Sequence, residues 1–340
     1  MNLDDRIIAF HKLGEILDSF IKNKIKSKQF NLIEKSITQS SDYNGFLDRK
    51  NIFFAIKNII RSLNYKNISG FLKNYNYDFQ NTNKTIGLIN AGNIPFVEFN
   101  DIFYILISGF NLDIKLSDKN KFLPKCILDI LIDVEPRFNL KIKYSNVLPE
   151  KIDGVIASGS DLSNSIFRYK YSDIPNILRQ NKTSIAVLKG NEGVKDIKGL
   201  FLDMFSYYGL GCRNVSKLYV PEKYNFDFFI QYCAENTFLM NNKFYRNNYV
   251  YNRSLLKMLN INFLDTGTFL LINTNDIFSP ISVINYQYYS DCKNLHHEIN
   301  FNKIQCFVNS DKCKFGYSQL TDFLDYPDNF DVVSFLIKNF

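Results

Sequence analysis

The spacing of apolar residues changes character near residue 85. Before it, apolar side chains recur at three- and four-residue steps. Ile7, Ile8, Leu13, Ile16, Leu17, Phe20 and Ile21 form one series, and Ile52, Phe53, Ile56, Ile59, Ile60 and Leu63 form another. That period belongs to helices turning one stripe toward a core, so residues 1–76 are expected to be helical. After it, short continuous apolar runs alternate with helix-length patterns. Residues 85–90 read as a buried strand, and Ala91-Gly-Asn-Ile-Pro95 as the turn that follows. A helix is expected over 99–108, a strand over 111–115, and a helix over 122–134 that Pro136 ends. Strands are expected over 140–144 and over 153–157, the latter running into Ser-Gly-Ser-Asp161. A strand at 184–188 continues the series, followed by a helix over 194–208 that Gly209 and Gly211 stop. Further strands are expected at 218–220, 268–272, 282–285 and 304–308, mixed with helices. Strands alternating with helices imply a parallel sheet with helices on both faces.

Composition bounds the function classes. The 340 residues suggest two domains, and 46% hydrophobic content supplies large cores, against global disorder. A net charge of +7, from 41 basic and 34 acidic residues, lacks the clustered Lys/Arg of a nucleic-acid surface. It suits an anionic ligand such as a nucleotide or a CoA thioester. The dense run Lys22-Asn-Lys-Ile-Lys-Ser-Lys28 reads as a solvated helix face. Acids at Asp4 and Asp5 stand where a secretory signal needs a basic, then apolar, start. No apolar run approaches the roughly 20 residues that span a bilayer. A cytoplasmic protein without a membrane span is expected, its six dispersed cysteines (126, 212, 233, 292, 306 and 313) reduced.

One cysteine has unusual neighbours. Cys212 stands in Tyr207-Tyr-Gly-Leu-Gly-Cys-Arg-Asn-Val-Ser-Lys-Leu-Tyr-Val-Pro221. Only a thiolate is a strong nucleophile, and Arg213 and Lys217, if turned toward the sulfur, would favour it. The adjacent glycines would let a substrate carbonyl approach the backbone. The alternative is a buried apolar thiol beside a helix C-cap. Cys126 and Cys233 lie on helix-like apolar patterns and read as core residues. Cys292, His296, His297, Cys306 and Cys313 cluster in sequence but lack the paired spacing of a zinc site, so no metal is expected. His297 reads as part of a polar loop with Glu298.

The order of several short segments adds a resemblance. Asn93 in Ala-Gly-Asn-Ile-Pro, Lys115 in Ile-Lys-Leu-Ser, Gly159 and Ser160 in Ala-Ser-Gly-Ser-Asp, Cys212 in Gly-Leu-Gly-Cys, and Asp276 in Asp-Ile-Phe-Ser-Pro-Ile281 occur in that sequence. The set resembles the signatures of the aldehyde dehydrogenase superfamily. It is more similar still to bacterial acyl-CoA reductases of the luminescence fatty-acid-reductase type, over about residues 84–335, including Lys314-Phe-Gly-Tyr-Ser-Gln-Leu and Asp325-Tyr-Pro-Asp-Asn-Phe-Asp331. The resemblance implies an α/β, aldehyde-dehydrogenase-like fold: two Rossmann-like three-layer α/β/α domains with an N-terminal helical segment. Its expected divisions are a helical segment 1–76, a cofactor domain 77–205, a catalytic domain 206–312, and a segment 313–340 returning to the cofactor domain.

The resemblance also assigns roles. Cys212 would be the nucleophile, and the Asn93 side-chain amide, with the Cys212 backbone N–H, would bind the substrate oxygen. Lys115 would hold the adenosine ribose or a 2′-phosphate of NADP (or NAD), with Ser117 beside it. The Gly159 and Ser160 amides would meet the pyrophosphate, although a plain helix N-cap explains Ser160 equally. Asp276 would accept hydrogen bonds from the nicotinamide ribose, next to Phe278. It is shorter than the glutamate of that pattern, and Ser279 replaces a glycine. The segment that carries the water-activating glutamate of hydrolytic relatives falls near residues 178–183, which hold no acid; Glu192 is the nearest one downstream. An acyl-cysteine without such a base would survive to meet hydride. The implied activity is NAD(P)H-dependent reduction of an acyl-CoA to an aldehyde, with coenzyme A as part of the substrate and a homo-oligomer possible. A CoA-independent aldehyde dehydrogenase and a catalytically degenerate binding protein are the alternatives.

Overall fold

The computed structural model describes residues 1–24, 27–89, 91–291, 295 and 299–340. The chain divides into two compact units, Met1–Asn181 together with Thr321–Phe340, and Lys182–Leu320.

The first unit begins with α1 (Leu3–Ile21), α2 (Lys28–Tyr43), α3 (Arg49–Ser62) and α4 (Tyr65–Leu72). Each starts at a side chain that accepts a first-turn amide: Asn2 from Asp5, Ser27 from Phe30, Asp48 from Asn51 and Asn64 from Asn67. Caps of this type contribute about 1 kcal/mol each and mark where the helices begin. The buried stripe of α1 runs through Ile7, Phe10, Leu13, Leu17 and Phe20, whereas Ile8, expected to join it, is exposed. α1 packs on α3 and α4.

The chain then alternates through β1 (Thr85–Ile89), α5 (Phe99–Ile107), β2 (Asn111–Lys115), α6 (Phe122–Val134), β3 (Ile142–Ser145), β4 (Gly154–Ser158), α7 (Asp161–Lys170) and β5 (Asn176–Arg179). The sheet order is β3-β2-β1-β4-β5, and every pairing is parallel. β1 is therefore central, with the chain growing outward first to one side and then to the other. α1 and α2 pack against α6, so the N-terminal helices belong to this unit.

The second unit holds β6 (Thr183–Val187), α8 (Val194–Phe205), β7 (Val215–Pro221), α9 (Asp227–Glu235), α10 (Lys243–Met258), β8 (Leu264–Asp265), β9 (Leu270–Asn273), β10 (Val283–Tyr289) and β11 (Ile304–Val308). Its order is β11-β6-β7-β10-β9-β8, parallel except for the β8–β9 edge pair. Ile185, Val187, Tyr219 and Ile304 form one core cluster, and Tyr249, Leu256, Leu270 and Val283 another. The chain closes with α11 (Val332–Asn339), which buries Val332, Val333 and Leu336 and packs on α5 in the first unit.

Two expectations change. The units divide after Asn181 and after Leu320, not at 205/206 and 312/313, because β6 is hydrogen-bonded between β11 and β7 and so carries α8 with it. The helix expected over 194–208 ends at Phe205. Tyr207 and Tyr208 follow with φ of 54° and 59°, in the left-handed region, and Gly209 with φ of 79°. A left-handed residue other than glycine costs about 1–2 kcal/mol. Both tyrosine rings are buried, and that burial offsets the strain.

Candidate active site

In the first unit, the chemistry-bearing residues gather at the carboxyl ends of three adjacent strands. Ile89, the last residue of β1, pairs with Lys115 on one side and with Ala157 on the other. The turn bearing Asn93, the lysine ending β2 and the Ser158–Ser160 segment leaving β4 thus leave the sheet side by side. This is where the connections diverge to opposite sides of β1, the position at which open parallel sheets bind ligands. Lys115 is half-buried and Asn93 exposed. Ser160 caps α7, its Oγ accepting the Ser163 N–H at 3.3 Å. Gly159 leaves no room for a side chain, since a Cβ there would stand 2.7 Å from Ser163 Cβ. Asn164, buried on α7, donates to the Gly159 carbonyl (3.0 Å) and to the Arg179 carbonyl (2.8 Å), tying this turn to the end of β5. A lysine ammonium, a helix amino end and a glycine without room for a side chain suit an anionic dinucleotide.

The Asn93 turn is braced from below. Ser117 Oγ donates to Ala91 O at 2.9 Å and Asn120 Nδ2 to Ile94 O at 3.2 Å. The Ser117 hydroxyl, expected at the cofactor, is thus engaged within the loop. Gly92 has φ of +67°, and a Cβ on it would lie 2.5 Å from both Cβ and Oγ of Ser117. Gly92→Ala therefore meets left-handed strain and a clash together. It should destabilise the unit by about 2 kcal/mol and shift Asn93, read as a lower midpoint in urea unfolding.

Just beyond, Glu98 is wholly buried at the start of α5, and its Oε1 has no hydrogen-bond partner. Burial, with nearby Asp101 adding to it, pushes its carboxyl up to about 8. The folded chain then keeps a proton that the unfolded chain releases near 4.5. The native state binds more protons in that window, so stability should fall by up to a few kcal/mol as pH rises from about 4.5 to about 8. Glu98→Gln cannot ionise and should flatten this part of the profile, as measured by urea unfolding at pH 5 and pH 8.

In the second unit, Cys212 is exposed, whereas Cys233 and Cys306 are buried and Cys313 is half-buried; Cys126 of the first unit is also buried. Burial pushes the Cys126 and Cys233 thiols up to about 11 and about 12, which keeps them protonated. The Cys212 turn is held by Asn214, itself buried. Its Nδ2 donates to Asp203 O (3.0 Å) and Ser206 O (2.8 Å) at the end of α8, and its Oδ1 accepts the Gly211 N–H (2.8 Å). Ser184 Oγ donates to the Cys212 carbonyl at 3.0 Å and accepts the Cys306 N–H at 3.0 Å. Asp203 ties α8 to the tail by accepting the Gly316 and Ser318 amides at 2.6 and 2.9 Å, while burial raises its carboxyl.

The neighbouring cations also bind the loops around the turn. Arg213 Nη1 donates to Cys306 Sγ at 3.3 Å and Ser318 O at 3.4 Å. Lys217 is wholly buried; its Nζ donates to Asn275 O (2.9 Å) and Gln287 Oε1 (2.7 Å). Lys217 joins Ser216, whose Oγ donates to Ile277 O, and Asn285, whose Nδ2 donates to Asp276 O and Phe278 O. These bonds stitch the 275–278 segment to the amino ends of β7 and β10, the strand that follows Cys212 and its neighbour. Asp276 and Phe278 are exposed there, and Asp276 accepts from Thr274 Oγ1 at 3.4 Å.

No family model matches the sequence, and no curated protein matches it. Solved structures do match. The aldehyde dehydrogenase of Bacillus cereus superposes with a TM-score of 0.64 at 12% identity, over 92% of this chain and 73% of its own. An NAD-dependent benzaldehyde dehydrogenase from Corynebacterium glutamicum gives 0.64 at 11% identity, over 91% and 75%. An aldehyde dehydrogenase from Physcomitrella patens, solved with its reaction product succinate, gives 0.62 at 12% identity, over 92% and 74%. The fold is that of the aldehyde dehydrogenases.

Within this aldehyde-dehydrogenase fold the two Rossmann-like units carry separate groups of residues. Asn93, Lys115, Ser117, Gly159 and Ser160 belong to the first, and Cys212, Asp276 and Phe278 to the second. Asn214, Ser184 and Lys217 hold the Cys212 turn and the Asp276 segment in shape. An asparagine two residues after the cysteine signals a self-bonding turn, but nothing in the sequence marks Ser184 as its second support. Residues 178–183 contain Arg179, whose guanidinium is paired with Asp101, where an acid would activate water. Glu192 accepts the Lys189 and Gly190 amides of its own turn. Cys292, His296, His297 and Glu298 lie outside the described residues. Among the described residues no group of three His, Cys, Asp or Glu side chains converges to hold a metal.

Proposed function

We propose that this chain reduces an acyl-CoA thioester to the aldehyde with NADPH or NADH, through an acyl group carried on Cys212. The observation that carries the reading is an exposed thiol on a rigid turn, braced by Asn214 and Ser184, while the other described cysteines are at least half-buried. The Cys212 thiolate attacks the thioester carbonyl; a carbon–sulfur bond forms, the bond to CoA breaks, and CoA leaves as the thiolate. Asn93 is assigned to hydrogen-bond the oxygen on which negative charge develops. The nicotinamide cofactor supplies a hydride to the acyl carbon. The thiohemiacetal oxyanion on Cys212 then collapses, releasing aldehyde and regenerating the thiolate. Arg179 bound to Asp101, and Glu192 bound to its own turn, supply no base to activate water, which favours reduction over hydrolysis.

Lys115 and the amino end of α7 are assigned to the cofactor phosphates, and Asp276 to the nicotinamide ribose. Lys115→Ala should raise the KM for the reduced cofactor about tenfold while changing kcat little, since it removes one charge-assisted hydrogen bond. The deciding experiment incubates the protein with a panel of acyl-CoAs and each reduced cofactor. Aldehyde and free CoA, formed together with cofactor oxidation, support the reading. Cofactor-dependent aldehyde oxidation without CoA would favour an aldehyde dehydrogenase instead. No turnover in either assay would leave a binding protein on this fold.

A further inference from the structure

α10 buries Tyr245, Tyr249, Asn252 and Leu256 against its unit, but its outer side is not an ordinary polar face. Tyr251 is 64% and Met258 81% exposed, and Leu259 and Ile261, in the turn that follows, are 59% and 41% exposed. Tyr251 and Met258 are two turns apart, so they lie one above the other on one flank. The other flank carries Lys243, Arg246, Arg253 and Lys257. No Asp or Glu occurs between Glu235 and Asp265. Arg253 is held by Asp265 at 2.7 Å, and Arg246 Nη1 donates to Met240 O at 2.9 Å.

We propose that α10 and the turn after it seat this chain on an anionic phospholipid surface. Lys243, Arg246 and Lys257 lie at the head-group phosphates, and Met258, Leu259 and Ile261 enter the boundary of the acyl region. The charge selects this occupant. A second copy paired through the same helix would set Lys243, Arg246 and Lys257 against their own copies. An acidic peptide would satisfy the cations but leave the apolar turn in water. An interface that is anionic at its surface and apolar just beneath satisfies both flanks. Among the described residues no helix is long and apolar enough to cross a membrane.

The test is flotation of the full chain with phosphatidylcholine vesicles, with and without phosphatidylserine. Binding is expected only with phosphatidylserine and should weaken as salt rises. Lys243→Glu combined with Lys257→Glu should lower partitioning about tenfold or more, and Met258→Asp should lower it comparably. Both variants change exposed side chains, and unaltered thermal melts would show that the fold is kept. Absence of flotation, or wild-type binding by both variants, overturns the proposal. So does a wild-type dimer that Met258→Asp converts to monomer without vesicle binding, because a second copy would then cover the patch.

Discussion

Cys212→Ser should abolish acyl-enzyme formation and lower kcat/KM for acyl-CoA reduction by about three orders of magnitude or more. A serine hydroxyl has nearly the same size but stays protonated at neutral pH. Asn214 and Ser184 grip backbone groups and carbonyls, so the turn should keep its shape and the unfolding free energy should change by less than about 0.5 kcal/mol. Two measurements check this: intact mass after acyl-CoA exposure, which should show the acyl adduct only with cysteine, and aldehyde production. Aldehyde formed at near wild-type rate by the serine variant would remove Cys212 from the chemistry.

Arg179→Met should cost about 3–5 kcal/mol in the first unit, because it strands Asp101 as a buried charge. The Arg179 guanidinium, 6% exposed, meets Asp101, 1% exposed, through two hydrogen bonds, one of them 2.7 Å. Methionine fills similar volume, so lost packing contributes little and the cost reads out the uncompensated carboxylate. Replacing both residues, Arg179→Met with Asp101→Leu, should recover most of that loss. Urea unfolding of the two single variants and the double variant measures the coupling directly. A near-additive result would mean the pair is not what holds β5 to α5.

The central strands of the first sheet were legible because each is a short apolar run ending at a turn signal. Thr85–Ile89 and Gly154–Ser158 are covered on both faces, so they read as continuous hydrophobic stretches. β5 escaped notice: its alternating half-buried and buried Asn-Ile-Leu-Arg offers no such run. The residues assigned to the cofactor were picked out from order alone, Lys115 as the last residue of a strand and Ser160 two residues past the end of another. The end of α8 could not be, because nothing in the spacing of Leu200, Met204 and Tyr207 reveals that two tyrosines adopt positive φ. The roles of Arg213 and Lys217 were equally hidden. Their charge is visible in sequence, but their direction is set by partners about 60 to 105 residues away, at Asn275, Gln287, Cys306 and Ser318.

The first unit is discontinuous, and that has a consequence for how the chain folds as it is made. Lys182–Leu320 forms one uninterrupted stretch with its own sheet, so it can condense while the ribosome is still adding residues. Its host has to wait. α11 buries Val332, Val333 and Leu336, and Phe340 stacks edge-on to Phe110 with ring centres 5.6 Å apart. Until those last turns emerge, an apolar face beside α5 stays open. An early stop codon near residue 325 should therefore leave a nascent protein that chaperones retain, even though the unit bearing Cys212 is already complete.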